Sequence, residues 1–232
     1  MKNKKINILC LLLLTGLSFL QAQPVQEHGN LSVQGTRIVD QHGETVTLRG
    51  VSYGWHNWWP RFYNNEPVRD SWEVIKSYSI DVIKAIREAD PDNIILVGSP
   101  HWDQDVHIVA DDPITGYNNI MYTLHFYAAT HGQSLRDRGN YALEKGIPLF
   151  VSECAGMSAN GDGPINYEAW QTWIDWMQKN DISMVFWSIA DKNETCSMLT
   201  KSASSEGNWS ESDLKESGIK TCELLRSYAE KK

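Results

Sequence analysis

The chain has 232 residues, 22% of them charged, and a formal charge of −8 at pH 7, which suits a soluble globular domain and excludes the basic face needed to hold nucleic acid. Its four cysteines form no Cys-x-x-Cys pair and no histidine cluster accompanies them, which excludes a structural zinc site. Ten tryptophans and nine tyrosines exceed what such a core needs, and the surplus of rigid amphipathic rings is a natural surface for stacking on flat ligands.

Residues 1–22 begin with Lys2, Lys4 and Lys5, continue through an apolar run over 6–20 and end in Gln21-Ala22, the order of a secretory signal. The run is shorter than the roughly 20 residues that span a bilayer. We therefore expect a signal peptide over 1–22, one domain over 23–232, and an extracellular or periplasmic protein with no membrane association after cleavage. Loss of three lysines takes the formal charge from −8 to −11. Cys10 leaves with the signal, so Cys154, Cys196 and Cys222 allow at most one disulfide. Asn193-Glu194-Thr195 and Asn208-Trp209-Ser210 match the glycosylation acceptor pattern.

Short strands are expected over 31–33, 37–39 and 46–51, with turns at Gln34-Gly35 and His42-Gly43. Asp70 can cap a helix with Glu73 three positions on, and Val74, Ile75, Tyr78, Val82, Ile83 and Ile86 recur at helical spacing up to Asp90-Pro91. Further on, strands are expected over 94–97, 120–127, 149–152 and 183–187. Helices are expected within 133–145 and at about 167–179 and 213–229, and a Gly-rich loop over 156–163. This alternation implies parallel βα units in one α/β domain without internal repeats.

In a (β/α)8 barrel the working residues stand where strands end and βα loops begin. Glu66, His125, Tyr127, Glu153 and Trp187 fall at such places. Any one of them alone reads as well as a solvated strand end, a core histidine or a core ring; five at successive strand ends are harder to explain by packing.

The set Leu48-Arg49-Gly50-Val51-Ser52, Asn65-Glu66-Pro67, residues 90–95, Leu124-His125-Phe126-Tyr127, Phe150-Val151-Ser152-Glu153 and residues 186–192 resembles glycoside hydrolase family 5. The likeness is to its bacterial endo-β-1,4-glucanases. It implies a secreted retaining glycosidase of TIM-barrel type that cleaves internal β-1,4 bonds of cellulose or a related β-glucan. It makes Glu66 the acid/base, Glu153 the nucleophile and Asn65 the residue that binds the sugar 2-hydroxyl. His125 and Tyr127 become partners of the reacting centre and Trp187 a stacking platform, with Trp58, Lys192 and Glu194 as further substrate contacts. Retention needs the two carboxyls about 5 to 5.5 Å apart, and ionised Glu153 should raise the pKa of Glu66. The scheme uses no metal or cofactor. Mannan and xyloglucan, which differ in hydroxyl orientation or branching, remain alternative substrates.

Between the first barrel strand, ending near Val51, and Asn65, the family pattern has strands 2, 3 and most of 4. At about 30 residues per βα unit, some 80 to 90 residues are absent. The expected fold is therefore a truncated (β/α)8 barrel with five strands and a short N-terminal β-hairpin. The arginine and histidine that the family places after strands 2 and 3 go with the absent part. Unpaired edges invite self-association, and a second functional alternative is an impaired, glucan-binding or non-functional remnant.

Overall fold

A computed structural model describes residues 24–53 and 71–229. The described chain opens with a short helix, α1 (Pro24–His28), followed by β1 (Ser32–Gln34), β2 (Arg37–Val39) and β3 (Thr45–Val46). These three form an antiparallel sheet in the order β1-β2-β3, so the expected hairpin has a third strand. The stretch expected as one strand over 46–51 is divided. β3 stays with the hairpin, and after Thr47-Leu48 the chain enters a different sheet as β4 (Arg49–Tyr53). The break is pinned by Leu48, whose N–H donates to Ser183 Oγ at 2.8 Å.

Helix α2 (Trp72–Ala89) starts one residue later than the spacing predicts: Ser71, not Asp70, is the N-cap, its hydroxyl accepting from Val74 N–H. Asp70 lies outside the described residues. β5 (Ile95–Val97) follows, then a turn at Pro100–Asp103, helix α3 (Val106–Asp111), β6 (Ile120–Tyr127), α4 (Gln133–Glu144), β7 (Leu149–Ala155), α5 (Tyr167–Lys179), β8 (Ser183–Ile189), a 3-10 turn at Glu211–Asp213 and α6 (Glu216–Ala229). The segment between β5 and β6 thus carries a helix of its own. The last helix begins at Glu216 because Ser210 and Asp213 close a capping box around the preceding turn.

The five remaining strands make one parallel sheet in the order β4-β8-β7-β6-β5, the expected number. Its outer face is covered by helices: Tyr122, Leu124 and Phe126 of β6, Leu149, Val151 and Cys154 of β7, and Met184 and Phe186 of β8 share one apolar core with Trp170, Trp173, Ile174 and Met177 of α5. The α5 residues lie at i, i+3, i+4 and i+7, one stripe of a helix. Trp173 stacks on Phe126 with centroids 4.0 Å apart and donates Nε1–H to His131 O at 2.8 Å. Trp72, Trp170 and Trp173 are buried, so much of the aromatic surplus goes to packing.

The alternate residues point inward. Low in the barrel, Met121 and Phe150 pack with Ile38 of β2, against Val33, Val46 and Val185. The antiparallel sheet is therefore a plug that closes the floor, the N-terminal ends of the strands, and Asn119 Oδ1 ties it down by accepting from Val33 N–H at 2.8 Å. Toward the other end Tyr127, Ala155, Met157 and Cys196 form a separate cluster with Trp187 at its margin. Among the described residues no helix is long and apolar enough to cross a membrane.

Candidate active site

At the C-terminal ends of the strands, β6 and β7 meet in an interrupted register. Pairing runs Tyr122 to Leu149 and Thr123 to Phe150, then His125 to Glu153, so β7 carries one residue more than β6 between these rungs. In unbroken register His125 would lie beside Ser152, and Glu153 beside Phe126, on the face packed against Trp173. The bulge turns the carboxylate inward instead, as extra residues in a strand re-aim side chains. Ser152 also reaches the inside: its Oγ lies 2.7 Å from His125 Nε2.

Glu153 Oε1 accepts the Tyr127 Oη–H at 2.7 Å. Tyr127 is nearly buried; burial, then the neighbouring Glu153 charge and this hydrogen bond, push its phenol well above the usual range. It therefore stays protonated and remains a donor to the carboxylate. Its own N–H donates to His131 Nδ1 at 2.8 Å; that ring nitrogen must then be bare, in keeping with a His131 pKa lowered by burial and by His101 and Arg138.

On β8, Trp187 stands in register with Ser52 of β4, and the pairing then skips Ser188 to join Tyr53 with Ile189. The Trp187–Ser188 peptide is cis. Lys192 Nζ and Glu194 Oε1 are 2.8 Å apart. Their loop is held by Lys215 Nζ, which donates to the carbonyls of Lys192 and Glu194, and by Asp162, which accepts from Thr195. Cys196 links this loop to the centre: it packs with Tyr127 and its thiol lies 3.7 Å from Glu194 Oε2. Burial first, then Glu194, pushes that thiol up to about 12. Cys154, Cys196 and Cys222 are all free.

The structure thus gathers Glu153, Tyr127, His125 and Trp187 around one end of the sheet, with Lys192 and Glu194 joined to them through Cys196. Asn65, Glu66 and Trp58 lie outside the described residues. Two residues missed in the sequence stand at the end of β5. Trp102 is 75% exposed, and Asp103 lies 3.4 Å from His125 Nε2 through its Oδ2. The strand-end rule that singles out Glu153 points to the segment after Val97 but to no particular residue within it. They sit in a turn where His101 (φ 57), Trp102 (φ 53) and Asp103 (φ 61) are all left-handed, a conformation that costs side-chain-bearing residues about 1–3 kcal/mol each.

Residues 63–193 match the family model described as cellulase, glycosyl hydrolase family 5. The chain is 48% identical over 145 residues to an endoglucanase of Clostridium saccharobutylicum, covering 62% of this chain and 32% of the relative, so it spans about a third of that relative's length. Endoglucanase N of Pectobacterium atrosepticum is 30% identical over 306 residues, covering 91% of this chain and 69% of the relative. That alignment is longer than the 232 residues present, so the relative carries residues with no counterpart here. A solved structure from Cytophaga hutchinsonii superposes with a TM-score of 0.80 at 30% identity, over 88% of this chain and 96% of that one. The Thermobifida fusca endoglucanase Cel5A in complex with cellotetraose gives a TM-score of 0.77 over 88% of this chain and 99% of that one; at 22% identity the likeness is one of fold.

Proposed function

The chain belongs to glycosyl hydrolase family 5, the cellulase family, and from that premise we propose that it is a secreted endoglucanase. In this reading it cleaves internal β-1,4-glucosidic bonds of cellulose or a related β-glucan by retaining double displacement. Glu153 attacks the anomeric carbon, and Glu66 protonates the leaving oxygen and then activates the water that releases the sugar. The observation that carries the reading is the Glu153 carboxylate, turned inward by the β7 bulge and held by the Tyr127 hydroxyl. A carboxylate oriented by one donor, beside His125 and with Trp187 one strand further on, has the form of a glycosidase nucleophile. The cellotetraose bound by the Thermobifida fusca enzyme supports a glucan substrate. Export rests on the lysine-then-apolar order of residues 1–22.

One observation favours a second reading. Among the described residues the sheet has five strands where the closed barrel has eight, and the Pectobacterium relative carries residues absent here. A chain so shortened would bind glucan through its aromatic side chains without cutting it. Reducing-sugar release from carboxymethyl cellulose and barley β-glucan separates the two. The enzyme reading expects turnover that falls about 1000-fold or more in Glu153→Gln and in Glu66→Gln. Saturable cello-oligosaccharide binding without release from the folded parent would favour the second reading.

A further inference from the structure

The left-handed turn at the end of β5 places Asp103 where it touches the candidate site. Asp103 Oδ1 accepts from Ser99 N–H and from Thr123 Oγ1–H, each at 2.5 Å. The second oxygen, Oδ2, is left facing His125 Nε2 at 3.4 Å. Thr123, His125 and Tyr127 alternate along β6 and share its inner face, so one carboxylate from the neighbouring loop bridges two rungs of the strand that carries the Glu153 donor. His125 Nε2 also lies 2.7 Å from Ser152 Oγ. An ionised carboxylate only accepts. A ring nitrogen set between it and a hydroxyl is best satisfied when it bears the hydrogen.

We propose that Asp103 is a positioning residue that acts through His125: its Oδ2 fixes the imidazole with the hydrogen on Nε2, so that proton exchange by this ring runs through Nδ1. This deepens the glucanase reading and rests on it for the consequence in turnover. No bond is made or broken at Asp103. Its effect is to set which nitrogen of the ring, cross-strand from Glu153, is basic. A carboxylate serving only to close the turn onto β6 would need Oδ1 and nothing more, and the contrast between the two oxygens makes the proposal testable.

Asp103→Asn keeps an acceptor for Ser99 and Thr123 and replaces Oδ2 by an amide NH2, a donor that suits a bare Nε2. The full chain, labelled with 15N, gives the His125 ring shifts, assigned by their loss in His125→Asn and followed from about pH 6 to about pH 9. The parent is expected to show the Nε2–H tautomer and Asp103→Asn the Nδ1–H tautomer. With soluble β-glucan, kcat of Asp103→Asn should fall by about tenfold or more while KM stays within about twofold. A parent with Nδ1–H overturns the proposal even if the variant does not fold. So do unchanged ring shifts in the variant, or a tautomer exchange that leaves kcat untouched. If the folded parent shows no turnover, the glucanase reading fails, and the ring shifts still decide whether Asp103 sets His125.

Discussion

At the scale of single residues, the Tyr127–Glu153 contact joins structure to chemistry most directly. Tyr127→Phe keeps the ring packed against Ala155, Met157 and Cys196 and removes only the donor to the carboxylate. A hydrogen bond to a charged group is worth about 1.5–3 kcal/mol, so kcat/KM on β-glucan is expected to fall roughly 10- to 100-fold. Circular dichroism should stay unchanged. Because the Tyr127 phenol is pushed upward, the pH–rate profile of the parent should contain no limb belonging to it below about pH 10, and the variant should keep the same profile shape. Glu153, Tyr127, His125 and Trp187 were legible because each stands at a strand end in an ordered set of motifs. Asp103 was not: it reaches His125 through three left-handed residues in a row, and nothing in Pro100-His101-Trp102-Asp103 announces that conformation, since glycine, the usual marker of positive φ, is absent.

Among the elements, periodicity placed α2, α4, α5 and all five strands of the parallel sheet within a few residues, because an amphipathic stripe and an apolar run each need only their own side chains to be recognised. What failed depended on neighbours. The stretch 46–51 reads as one strand, yet its two halves belong to different sheets, a division set by the partners Ile38 and Met184 and not by the segment itself. The bulge in β7 is equally invisible, since Phe150-Val151-Ser152-Glu153 alternates acceptably in either register. Its importance can be measured. Deleting Ser152 removes the extra residue, so β7 pairs evenly with β6 while Glu153 stays opposite His125, and the Ser152–His125 contact is lost. We expect a folded protein by urea denaturation whose turnover falls about tenfold, the worth of one hydrogen bond to His125. Ser152→Ala, which keeps the residue count, should retain the parent's fold.

For the whole molecule, the buried thiols and phenols define an alkaline limit. Cys196 is pushed up from 9.0 to about 12, and burial also raises Cys154, Tyr122 and Tyr127. All keep their protons in the folded chain at pH values where the unfolded chain has released them. Their contribution is complete below about pH 9 and is lost as pH rises toward the folded values. Melting temperatures compared at about pH 8 and about pH 11 should therefore fall steeply, and the slope should be shallower in Cys196→Ala. Self-association through sheet edges, expected from the strand count, belongs to the same scale; light scattering of a monodisperse monomer would speak against it.

The strand order carries a consequence of its own. β4 and β5 are the two outermost strands of the sheet, and they are also consecutive among its five in the sequence. Among the described residues, the two outermost strands are therefore joined by one interval of chain, between Tyr53 and Ser71. The other three strands, the helices that cover them and the plug beneath them keep their joins intact. In genetic terms the molecule has a single seam. A segment taken from a longer relative could be spliced there without severing any strand pairing among the described residues.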